Sequence, residues 1–93
     1  MEHTSVTPAE IVKAHFAHDD VLTLQEDRSE REHALRSATA YTMDSHDEVG
    51  LIVKLANGET VEVLSNMVEL EGDFVELKGG YSIPVKAILK VEM

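Results

Sequence analysis

The sequence contains no cysteine and no tryptophan. Without cysteine there is no disulfide, no thiolate metal site and no thiol nucleophile. Aromatic side chains are scarce, and Phe74, Tyr81 and Tyr41 are too dispersed to build a groove for proline-rich peptides. No apolar run approaches the roughly 20 residues that a membrane-spanning helix needs. The opening Met1-Glu2-His3-Thr4-Ser5 has neither a basic start nor an apolar core, so no signal peptide is expected and a cytoplasmic location is. Bases are also in short supply: 8 Lys and Arg stand against 18 Asp and Glu, a formal net charge of −10. A surface of that sign repels phosphate backbones and anionic bilayers, so direct binding to nucleic acid or membrane is not expected. Two explanations of the acidity stand. Either it serves solubility or salt adaptation, or it forms a face that docks on a basic patch of a protein partner.

What is present is enough for a fold. At 43% apolar residues the chain is too hydrophobic for disorder, and 93 residues suit one domain. The expected organisation is a single domain over 1–93. Residues 1–6 are read as flexible, 7–48 as a helix-strand-helix (or strand) part, and 49–93 as an antiparallel strand run.

The strand run carries the clearest signals. Asn57-Gly58 and Gly72-Asp73 sit between alternating apolar segments, the pattern of β-hairpins. Side chains alternate with period two, so Leu51, Val53 and Leu55 share a face that Val61 and Val63 must join. A two-residue loop would set Val53 against Glu62. A three-residue loop, Ala56-Asn57-Gly58, sets Val53 against Val61 and Leu51 against Val63, and is therefore expected, with Gly58 left-handed. In the second hairpin a Gly72-Asp73 loop pairs Leu70 with Val75 and Val68 with Leu77. Glu69, Glu71 and Glu76 then face water, with Glu69 opposite Glu76. Lys78-Gly79-Gly80-Tyr81 is a third turn. Pro84 removes a ladder donor, so residues 83–88 are a strand end or a single helical turn before a closing strand.

This order of short strands, an Ile83-Pro84-x-x-Ala87-Ile88 turn and a final strand resembles a Src-homology-type or Sm-like small barrel. In those barrels one helical turn precedes the last strand. The resemblance covers about half the chain and implies a fold, not a function.

Upstream, Thr7-Pro8-Ala9-Glu10 is a helix start: Thr7 caps, Pro8 takes the first position and Glu10 completes a capping box. The helix is expected to run to about His18, with Ile11, Val12 and Phe16 in the core. Residues 21–25 read as a strand. Ser29-Glu30-Arg31-Glu32 is a second capping box, predicting a second helix through Ala40 over a strand alternative that the alternation from His33 to Met43 allows. Val21, Leu22, Leu24 and Leu35 join the expected core, and residues 44–48 form a loop. The expected fold class is α+β. An N-terminal helix, with the second as an addition, packs on a bent five- or six-stranded antiparallel sheet that approaches a small barrel.

Few constellations suggest chemistry. His15 and His18 would lie at i, i+3 on the first helix with Asp19 next, a set that could hold a divalent metal and define a small metal-dependent enzyme. The pair matches no established spacing, and packing of His15 at the sheet edge with His18 near a helix C-terminus explains both. Ser45, His46 and Asp47 are neighbours on one loop and cannot align as a triad. No catalytic or cofactor-binding set is expected. Glu59, Glu62, Glu69, Glu71 and Glu76 are the candidate partner-binding residues, with a solvated sheet face as the plainer explanation.

A second resemblance runs over residues 9–25, read as helix then strand, and 49–64, with the Asn57-Gly58-Glu59-Thr60 hairpin. It is similar to the Rho-binding antiterminator family, small acidic Sm-like proteins that dock on the RNA-binding face of a termination factor. The chain lacks that family's Cys-Asp-Tyr-type start and continues through another hairpin and strand, so no functional residue is carried over. The expected function is a non-catalytic acidic interaction or regulatory module. The alternatives are a salt-adapted structural or self-associating domain, through an open edge at the last strand, and the metal enzyme.

Overall fold

The computed structural model describes residues 4–93, and its elements confirm an α+β fold. Among the described residues there are seven strands: β1 (Thr4–Val6), β2 (Val49–Lys54), β3 (Thr60–Ser65), β4 (Val68–Glu71), β5 (Phe74–Leu77), β6 (Tyr81–Pro84) and β7 (Ile88–Glu92). A short helix, α1 (Pro8–Ile11), and a long one, α2 (Gln25–Ser45), precede β2, and a 3₁₀ turn, Val85–Ala87, joins β6 to β7.

Turn chemistry sets the C-terminal half as expected. Leu51 faces Val63 and Val53 faces Val61. The Leu55 amide donates to the Glu59 carbonyl at 2.8 Å, which closes the three-residue loop, and Gly58 sits at φ +90°. In the next hairpin Val68 faces Leu77 and Leu70 faces Val75, with Gly72 at φ +58°. β6 pairs with β5 through the Lys78-Gly79-Gly80 loop, and Pro84 ends it.

Among the described residues the strands form two sheets and no barrel closes, in place of the single bent sheet expected. One has the order β1-β3-β2-β7 and the other β4-β5-β6. The break falls between β3 and β4, where Ser65 is buried. Its hydroxyl donates to the Met67 carbonyl (2.6 Å) and accepts from the Lys78 amide (3.2 Å), so corner contacts replace ladder contacts. One pairing is not antiparallel: β1 runs parallel to β3, in a segment read as flexible over residues 1–6, of which Met1, Glu2 and His3 lie outside the described residues. A parallel partner 57 residues away leaves no local sequence signal.

The first half departs further. The Thr7 capping box forms, with Thr7 Oγ1 accepting from the Glu10 amide (3.3 Å) and the Glu10 carboxylate accepting from the Thr7 amide (3.0 Å). Yet α1 is one turn, not a helix to His18. Four residues cannot sustain themselves, and the next carbonyls are taken elsewhere: the His15 carbonyl accepts from the Ala56 amide of the β2–β3 loop at 2.9 Å. Residues 21–24 are irregular chain with bends at Val21 and Leu24, not a strand. The Val21 amide donates to the Lys86 carbonyl (2.9 Å) and the Leu22 amide to Asp20 Oδ1 (2.8 Å), so no ladder is needed. Val12 and Leu24, both expected in the core, are 39% and 56% exposed.

The helix expected at Ser29 instead starts at Gln25, without a side-chain cap, and continues to Ser45 through the stretch that alternates. His46 ends it at φ +61°. Arg31, Leu35, Ala38 and Thr42 form its buried stripe at helical spacing. Thr42 Oγ1 accepts from the first amide of β4, Val68, at 3.3 Å, which ties α2 to the smaller sheet. Leu35 and Ala38 enter one core with Leu51, Val53, Val63, Val75, Leu77, Ile83 and Ile88, and each large apolar side chain so buried contributes about 1.5–3 kcal/mol.

Candidate functional site: an acidic sheet face and the groove at its end

The smaller sheet has an inner and an outer face. Val68, Val75, Leu77 and Ile83 point into the core. The alternate residues form two rows across the outer face: Glu71, Phe74 and Pro84 in one, Glu69, Glu76 and Ser82 in the other. Carboxylate oxygens of Glu69, Glu71 and Glu76 lie within 4.8 Å of one another. Like charges so placed disfavour the isolated sheet by a few tenths of a kcal/mol per pair or more. They gain from a cation, whether ammonium, guanidinium or a hard metal ion.

The other two candidate glutamates are not part of this cluster. Glu59 lies just after the β2–β3 loop. Glu62 lies on the larger sheet, where its carboxylate accepts from Ser5 Oγ at 3.3 Å and covers Gly50. His15, His18 and Asp19 lie beyond the end of α1 in irregular chain, so the helical i, i+3 geometry that would have aligned the two imidazoles does not form. Among the described residues, the set of three ligand-bearing side chains close enough to share a metal ion is Glu69, Glu71 and Glu76, without a histidine.

Beside the Phe74–Pro84 end of the face lies a groove. Its most buried element is an ion pair between the loop before α2 and α2 itself. Arg31 donates to both carboxylate oxygens of Asp20 at 2.8 and 2.7 Å and to the Ile88 carbonyl at 3.1 Å. The Arg31 side chain is 6% exposed and that of Asp20 is 18% exposed. Arg31 Nε is buried without a partner. Arg28 adds a second guanidinium, 3.5 Å from Asp20, while its Nε donates to the Leu22 carbonyl. The Arg31 hydrogen bonds, with the Leu22 amide and the two positive charges, hold the Asp20 carboxyl below its ordinary value of 3.8, against the opposing effect of burial. A cavity of about 340 Å³ is bounded by this pair, by Phe74 and Pro84, and by Asp73 and Lys86. Lys86 Nζ donates to the His18 carbonyl at 2.7 Å. The Val85 amide donates to the Asp73 carbonyl at 2.9 Å and fixes the hairpin turn against the 3₁₀ turn.

The groove was not legible as a site. Nothing in the spacing of Asp20, Arg31 and Phe74 joins them. The one available signal was alternation, which sets Phe74 on the same face as Glu76, an aromatic ring on a face otherwise acidic. Compared with known proteins, the chain matches no family model, no curated protein and no solved structure.

Proposed function

We propose that the protein is a small non-catalytic interaction and regulatory module of the cytoplasm that docks through the outer face of β4, β5 and β6 on a basic surface of a protein partner. The observation that carries this reading is the convergence of Glu69, Glu71 and Glu76 in a chain of net charge −10, on the same face as an exposed phenyl ring. An exposed aromatic side chain with polar and charged groups at its rim is what protein interfaces use, and solubility alone does not call for it.

The test is capture of basic proteins by the immobilised chain across a salt series. Exposed charge contacts are screened over about 10 Å at 0.1 M salt, so capture is expected to fall steeply as salt rises. The triple variant Glu69→Gln/Glu71→Gln/Glu76→Gln is expected to lose capture. Asp44→Asn/Glu48→Gln, which removes acids remote in sequence from the sheet, is expected to keep it. Equal capture by both variants sinks the assignment to this face. A chain that captures nothing and is only stabilised by salt is a salt-adapted structural domain.

A further inference from the structure

We propose that β7 is a self-association edge, on which a second copy of this chain pairs antiparallel about a two-fold axis at Val91. The inference stands apart from the docking reading, since none of the residues it uses lies on the outer face of β4, β5 and β6. β7 ends the order β1-β3-β2-β7, so one of its sides carries no ladder. Unpaired strand backbone is a template for another strand. The other edges are short or occupied. β1 has three residues, the first amide of β4 is taken by Thr42, and β6 ends in Pro84, which has no N–H to donate. On β7 the Ile88 carbonyl accepts from Arg31, and among the described residues no side chain hydrogen-bonds to the backbone from Leu89 to Glu92.

The side chains of the edge select the strand that fits it. Val91 pairs with Leu51 on the core side, while Lys90 and Glu92 pair with Ile52 and Gly50 on the other. Antiparallel pairing about Val91 sets Val91 against its own copy, Lys90 against Glu92 of the second copy, and Glu92 against Lys90 of the second copy. Centring on Lys90 would oppose two ammonium groups, and centring on Glu92 two carboxylates. The segment is thus complementary to itself in one register. Lys90 and Glu92 already lie 3.6 Å apart with side chains 68% and 49% exposed, so the dimer completes a ring of four alternating charges. Beside the edge a groove of about 320 Å³ separates α2 from β7, with Leu22, Ala34, Leu89 and Val91 as its apolar lining and Asp27 and Glu30 as its acids. The same register brings the uncharged Met93 of the second copy, a residue 67% exposed in the single chain, opposite Leu89 at that groove. A two-fold pairing uses the same surface on both copies, so it stops at a dimer. The net charge of −10 per chain opposes it at low salt.

Sedimentation equilibrium of the full chain over a concentration series tests this at about 0.1 M salt, where charges more than about 10 Å apart are screened and close pairs are not. A dimer is expected. Lys90→Glu and Glu92→Lys each turn two attractive cross-strand pairs into two repulsive ones, and each is expected to weaken the dimer at least about tenfold. Glu92→Lys also lowers the net negative charge, so overall repulsion does not account for its loss. The double variant Lys90→Glu/Glu92→Lys exchanges the two charges and is expected to restore the dimer. Both positions are exposed, and circular dichroism confirms that the variants fold. A chain that stays monomeric at every concentration, a dimer that both single variants leave intact, or a double variant that does not recover overturns the proposal. The docking reading is tested by other residues and survives any of these results.

Discussion

Residues 49–92 and residues 4–24 both have to satisfy their backbone polar groups, and they do it over very different distances. In the strand run most partners are close in sequence: β2 with β3, β4 with β5, β5 with β6, each joined by a short turn, and β7, which returns to β2, is the exception. In the N-terminal segment they are remote. β1 pairs with β3, the His15 carbonyl takes the Ala56 amide, and the Val21 amide reaches the Lys86 carbonyl. The first region is specified by its own residues. The second is a strap that the rest of the molecule shapes, and its strongest fastening is the Asp20–Arg31 pair.

The most severe way to break the comparison is to undo that fastening. Arg31→Ala strands the Asp20 carboxylate and deletes the bond to the Ile88 carbonyl, and is expected to cost about 3–5 kcal/mol in urea unfolding. An Arg31→Met/Asp20→Asn double variant is expected to recover much of that loss, since a buried charge without a partner costs more than an apolar replacement. A full loss in the double variant would show that the cost lies in the lost hydrogen bonds of the pair and not in a stranded charge, and a small loss in Arg31→Ala would show that the strap is held by something else.

A milder perturbation acts by protonation. The folded carboxyl of Asp20 lies below its unfolded value of 3.8, so its contribution is fully present above that value and is lost as pH falls through the lower, folded one. Acid unfolding followed by circular dichroism is expected to show a loss of stability below about pH 4 that Asp20→Asn reduces. Glu10 is shifted in the same direction by the Thr7 amide and hydroxyl. It is exposed, so its part in the acid limb is minor.

The smallest expected effect probes the self-specified region. Gly58→Val places a β-branched residue at φ +90° and is expected to cost about 1–2 kcal/mol, more than Asn57→Ala beside it. Nothing crowds the position, so the cost is conformational. If chemical denaturation finds the two equal, the loop conformation is not what sets the β2–β3 register.

The same contrast explains what could be read from the chain. Registers and loop lengths in residues 49–77 followed from apolar alternation and two glycine-bearing turns, because one slipped residue would invert a buried face. The 3₁₀ turn after Pro84 was legible for the same local reason. The end of α1 was not, because its apolar residues fit a longer helix and only the distant Ala56 amide competes for the carbonyls. Nor was the start of α2, where the cap position is held by Leu24, whose side chain makes no capping hydrogen bond. The split into two sheets falls at one buried hydroxyl, Ser65, which bonds to Met67 in the link to β4 and to Lys78 beyond β5. At the candidate site, the three clustered glutamates followed from period two. The groove beside them is assembled from the strap, α2 and the hairpin, so no stretch of sequence contains it.

The outer-face residues, from Glu69 to Pro84, all come from one unbroken meander, and they alternate with the residues that hold the core. Under the proposed docking, recognition and folding are written on alternate positions of the same short text. A lineage carrying this domain can exchange one set of letters, trading acids for other groups around Phe74, while the other set stays fixed. If that face docks a partner as proposed, partner choice is free to drift without the fold having to follow.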